Sequence, residues 1–122
     1  MSYSDDLPDG VKAEERQLNT AELLVKCLEE EGARYIFGIP GEETLDLMNA
    51  IADSKKIEFI TTRHEQGAAF MADVYGRLTG KAGICLATLG PGATNLVTGV
   101  ADANLDGAPL VEGFATVPGD GV

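Results

Sequence analysis

The chain has no tryptophan, and its 122 residues include only two cysteines and one histidine. A single histidine excludes a multi-histidine metal site. Cys27 falls in a helical run and Cys85 in a strand-like run, so both read as reduced core thiols rather than as a disulfide or metal ligands. Basic residues are scarce as well: nine Lys and Arg stand against twenty Asp and Glu, a formal net charge of −11. Such a chain repels phosphate backbones and anionic lipid, so no nucleic-acid or membrane partner is expected. No apolar run reaches the roughly 18–20 residues that span a bilayer. The opening Met1-Ser2-Tyr3-Ser4-Asp5-Asp6 has neither the basic flank nor the apolar stretch of a secretory signal. A cytoplasmic location is the expectation.

What is present suits one globular domain. Apolar residues make up 44% of the chain and aromatics only 6%, which implies a core of Leu, Ile, Val and Ala. The fifteen glycines sit at element ends rather than in a repeat. Residues 1–17 are acidic and poor in large apolar side chains, a flexible lead-in. From Asn19 the pattern becomes regular. Asn19 with Glu22 forms a plausible capping box, Leu23, Leu24, Cys27 and Leu28 mark one helical face, and Gly32 closes the helix. Tyr35 to Gly38 reads as a short buried strand. Pro40 and Gly41 turn into a second helix with Thr44, Leu47, Met48, Ile51 and Ala52 inward. A strand over Ile57 to Thr61 precedes a third helix from about His64 to Leu78, whose Gly67, Ala68, Ala69 and Ala72 leave room for another backbone. A strand over Ile84 to Thr88 leads through Gly90-Pro91-Gly92 into a fourth helix, with Ala93, Leu96, Val97, Val100 and Ala101 inward, and Pro109-Leu110-Val111 begins a last strand.

Short apolar strands separated by helices predict an α/β fold, a mostly parallel sheet flanked by helices on both faces. Ligands of such sheets sit at the carboxyl ends of the strands. Gly38 to Gly41, Thr61 to Glu65 and Thr88 to Gly92 occupy that edge. Neither a Gly-x-Gly-x-x-Gly turn after a strand nor a phosphate loop ending in Gly-Lys-Ser/Thr is present. His64-Glu65 resembles the start of a zinc-protease helix, but Ala68 stands where the second histidine would be. Two readings of Glu65 then stand side by side. It is either a helix-start carboxylate favoured by the dipole or a partly buried carboxyl sharing a proton with a ligand nitrogen, a role that desolvation favours.

The segment Thr62-Arg63-His64-Glu65-Gln66-Gly67-Ala68-Ala69-Phe70-Met71-Ala72-Asp73 strongly resembles the glutamate-bearing segment of acetolactate synthases and their thiamine diphosphate relatives. Thr88-Leu89-Gly90-Pro91-Gly92-Ala93-Thr94-Asn95 is similar to the second diagnostic segment of that family, and Phe37-Gly38-Ile39-Pro40-Gly41 to the first. Order and spacing also agree, over about residues 18–111. The resemblance implies a pyrimidine-binding domain, one of two α/β domains that grip thiamine diphosphate between them, usually across a subunit boundary, so an oligomer is expected. It implies that Glu65 hydrogen-bonds the ring nitrogen and favours the imino form of the exocyclic amine, which takes the thiazolium proton. It implies cofactor-binding walls at Pro40, Gly41, Pro91 and Gly92, with Asn95 as a further cofactor-binding position. Without a ligand, the glycine and proline positions read equally as helix-entry turns.

Residues 112–122 depart from the family pattern. Glu112 and Gly113 replace core residues of the last strand, and the usual Thr-Gly-Gln turn has no counterpart. Gly119-Asp120-Gly121 matches only the first three residues of the family's magnesium-diphosphate motif, too few for an octahedral site. No metal ligand is therefore expected on this chain, and magnesium belongs on a diphosphate-binding domain supplied by another chain or a further segment. The expectation is a truncated pyrimidine side of a carboligase acting on pyruvate, inactive alone. A non-catalytic interaction or regulatory module that keeps the fold stands as the alternative. A simple flavodoxin-like binding domain is disfavoured by three segments in register.

Overall fold

A computed structural model describes residues 17–115. The acidic lead-in falls outside these residues except for Gln17, and so does Gly119-Asp120-Gly121. The elements run α1 (Thr20–Glu30), β1 (Tyr35–Gly38), a 3-10 turn (Glu42–Thr44) entering α2 (Leu45–Asp53), β2 (Glu58–Thr61), α3 (Glu65–Thr79), β3 (Gly83–Ala87), α4 (Pro91–Asp106) and β4 (Leu110–Phe114). Helix α1 starts where its capping box predicts. The Asn19 side chain accepts from the Glu22 N–H at 2.8 Å, and Glu22 accepts from the Asn19 N–H at 3.0 Å.

All four strands are parallel, in the order β2-β1-β3-β4. Successive side chains of a strand point to opposite faces, and the two faces differ in character. Ile36, Ile84 and Leu86 pack with Val25 of α1 and Ala50 and Ile51 of α2. Phe37, Cys85 and Ala87 pack with Ala68, Ala69 and Ala72 of α3 and Leu96 of α4. The second layer is built from small residues because backbones nearly touch there. A Cβ on Gly83 would lie 1.8 Å from the Ala72 carbonyl oxygen, and one on Gly99 would lie 2.5 Å from the Ala69 Cβ.

Several inward assignments are corrected. The α1 helix carries two apolar stripes, and the one that faces the core is Ala21, Val25 and Leu28, so Leu23, Leu24 and Cys27 are exposed. In α2 Ala50 is buried and Ala52 exposed, and in α4 Val97 and Ala101 are exposed while Gly99 and Ala103 are buried. A Cβ on Gly67 would meet nothing within 4 Å, so no other backbone approaches there. Cys85 is fully buried, and desolvation, aided by the Glu112 charge, pushes its thiol up to about 12.

At the end of α3 remote from its start, Arg77 ties the two helices together. Its Nε donates to Oδ1 of the buried Asp73 at 2.8 Å, and its terminal nitrogens reach Asp102 at 3.0 Å and Asp106. Hydrogen bonds that it donates to Asp73 and Asp106 raise its already high pKa further.

Candidate functional site

The carboxyl ends of β1, β2 and β3 open on one edge, and a threonine holds each of the first two loops that leave it. After β1, the buried Thr44 hydroxyl donates to the Gly41 carbonyl at 3.0 Å and accepts from the Gly41 N–H at 3.2 Å. After β2, the Thr62 N–H donates to the Gly38 carbonyl at 2.9 Å, and the Thr62 hydroxyl donates to the His64 carbonyl at 3.0 Å. His64 then caps α3, its Nδ1 accepting from the Gln66 N–H at 3.0 Å. The lone histidine is thus occupied in starting the helix, and it sets Glu65 as the first residue of α3. After β3, Gly90 adopts φ 60° and ψ −121°, a conformation that side-chain-bearing residues avoid. Pro91 follows at the first turn of α4, where no N–H is missed.

Thr88 gathers these loops. A Cβ on Gly41 would lie 2.1 Å from its Cγ2, and one on Gly92 would lie 2.8 Å from its Oγ1 and 3.5 Å from Glu65 Oε1. The Asn95 Nδ2 donates to Glu65 Oε2 at 3.0 Å. Glu65, Gly92 and Asn95 are therefore in one cluster, with Gly41 joined to it through Thr88. Pro40 and Pro91 lie in the same loops with their rings exposed.

Glu65 itself is half-buried, and among the described residues Asn95 is the one hydrogen-bond partner of its carboxylate. The wall facing Oε1 is a glycine, so no side chain of that residue keeps a flat ring from this oxygen. These residues fit an aminopyrimidine. No group of three or more His, Cys, Asp or Glu is placed to hold a metal ion among the described residues. No helix among them is long and apolar enough to cross a membrane.

The loop-holding bonds of Thr44 and Thr62 escape a reading that seeks charged or glycine-rich motifs. The signal was available in part: Gly41-x-x-Thr44 has the spacing of a capping box. The Asn95–Glu65 contact spans thirty positions and has no local signature.

A family model described as "Thiamine pyrophosphate enzyme, N-terminal TPP binding domain" matches residues 18–112. The acetolactate synthase of Bacillus subtilis is 54% identical over 91 residues, covering 75% of this chain and 16% of that protein. That of Mycobacterium bovis is 49% identical over 96 residues, 79% of this chain and 16% of that protein. The chloroplastic acetolactate synthase of Arabidopsis thaliana is 48% identical over 98 residues, 80% of this chain and 15% of that protein. The matched region thus amounts to about 16% of the length of these curated relatives.

Proposed function

The chain belongs to the thiamine pyrophosphate enzyme family through its N-terminal TPP-binding domain, and on that premise we propose that the loop edge around Glu65 receives the aminopyrimidine ring of thiamine diphosphate. The observation that carries the proposal is the Glu65 carboxyl itself, held at Oε2 by Asn95 and faced at Oε1 by a residue without a side chain. When bound, the cofactor supplies the carbon-acid chemistry for decarboxylating pyruvate and joining the remnant to a second 2-oxo acid. Glu65 would hydrogen-bond the ring nitrogen. Gly41 and Gly92 keep the walls bare, and Pro40 and Pro91 stiffen the two loops at the rim.

The diphosphate and its magnesium are assigned to a second domain, from another chain or a further segment. The carboligase reaction therefore needs that partner, and this chain alone is expected to be inactive. The apolar groove on α3, about 440 Å³ and lined by Phe37, Phe70, Met71, Val74, Tyr75 and Leu78, offers surface for such assembly.

The test places residues 18–111 in an active acetolactate synthase in place of the matching segment. Glu65→Gln should slow exchange of the cofactor's thiazolium proton by about 10²–10⁴ while weakening cofactor binding only modestly, because glutamine keeps the size but cannot carry a mobile proton. Glu58→Gln, at an exposed position of the edge strand β2, is the control. If both variants exchange at the parent rate, Glu65 is only a helix-start carboxylate.

A further inference from the structure

We infer that Asn95 selects which oxygen of the Glu65 carboxyl carries the proton, a positioning role that rests on the site proposed above. The Asn95 amide faces the glutamate, Nδ2 donating to Oε2 at 3.0 Å. An amide N–H₂ can only donate. Facing a carboxyl, it favours the stronger acceptor at Oε2, and a proton placed there would weaken the hydrogen bond, because a hydroxyl oxygen accepts less well than a carbonyl oxygen. The proton is therefore favoured on Oε1. That oxygen faces Gly92, where a Cβ would approach to 3.5 Å, so no side chain of that residue stands before it.

The backbone fixes this geometry. Glu65 and Ala69 are one turn apart on α3, as Asn95 and Gly99 are on α4, so both pairs lie on facing stripes. At the second pair, a Cβ on Gly99 would lie 2.5 Å from the Ala69 Cβ and 3.0 Å from the Ala69 carbonyl carbon. The helices cannot slide without breaking that contact, and the Glu65–Asn95 pair stays in register one turn above it. Further along the same seam, Arg77 locks α3 to Asp102 and Asp106 of α4.

Nuclear magnetic resonance on the ¹⁵N-labelled 122-residue chain tests this without turnover. The Asn95 side-chain amide should exchange slowly with solvent in the wild type and about tenfold faster in Glu65→Ala, the loss expected for one hydrogen bond. The same chain is then titrated with 4-amino-2-methylpyrimidine and with the ring in which the nitrogen addressed by Glu65 is replaced by C–H. The wild type should prefer the pyrimidine by about tenfold. Asn95→Ala should lose that preference while binding the C–H ring as before. Amide exchange indifferent to Glu65→Ala overturns the inference, whether or not the Asn95 variant folds. So does a retained ring preference in Asn95→Ala, or a parallel loss for both rings, which would mark a merely structural role. If the wild type itself shows no preference while its Asn95 amide is protected by Glu65, the pyrimidine site is what fails, and the proton-selecting role falls with it.

Discussion

Cys27 and Cys85 sit in opposite environments, and the difference has a direct readout. Cys27 is exposed on α1, whereas Cys85 lies fully buried between β1 and β4 with its thiol pushed up to about 12. An aromatic disulfide reagent at neutral pH should modify one thiol quickly and the second only as fast as the protein opens. Two thiols reacting at one rate would contradict the burial of Cys85. The sign of the pH effect follows from the same shift. An unfolded Cys85 releases its proton near its ordinary 9 while the folded one keeps it to about 12. The unfolded state then binds fewer protons, so Cys85 subtracts stability progressively as pH rises from 9 toward 12. Urea midpoints across that range, compared with Cys85→Ala, would isolate the effect. At this scale the sequence was legible where a residue has few possible tasks. Glu65 at a helix start after a strand is such a case. Cys27 misled because α1 offers two apolar stripes and periodicity alone does not say which one meets the sheet. The pairing of Asn95 with Glu65 was not legible, because the partner arrives from another helix.

The α3–α4 seam is the element pair on which the site depends. A side chain at Gly99 would press on Ala69 and on the backbone N–H of Phe70, atoms that cannot swing aside. Gly99→Val should therefore destabilise the fold by about 1–3 kcal/mol, the usual cost of overfilling a packed core. It should also disturb the Asn95 side-chain amide signal one turn away. Denaturant unfolding reads the first effect and the labelled spectrum the second. An unchanged midpoint with an unchanged amide signal would mean that the seam is looser than its contacts indicate. Element order, helix caps and strand type were readable because capping residues, glycine stops and short apolar runs are local signals. The limits moved only slightly: β2 begins at Glu58 rather than Ile57, and β3 covers Gly83–Ala87. Inward faces were less readable, since α4 places Gly99 and Ala103 rather than Val97 and Ala101 against its neighbours. Closeness, not hydrophobicity, decides that face.

Across the whole domain, sheet order brings distant segments to one edge: β1 and β3 are neighbours, so the loops carrying Gly41 and Gly92 flank the same Thr88. That convergence could be anticipated from the rule that parallel sheets bind at the strand carboxyl ends, but the pairing of particular side chains could not. The same sheet leaves β2 and β4 as edges, with Val111 and Phe114 exposed on β4. Its two layers also obey opposite rules of size. Ile36, Ile51, Ile57, Ile84 and Leu86 fill one side, and Ala68, Ala69, Ala72 and Ala87 line the other. In a library of all single substitutions scored for folding, the first group should reject smaller residues, since each leaves a void. The second group should tolerate Ala-to-Gly changes comparatively well and reject every enlargement, since backbone stands in the way. Tolerance sorted by volume would thus separate the chain into two sets of positions. Strand β3 would carry members of both sets on its opposite faces, a topographic record of the sheet obtained by counting survivors.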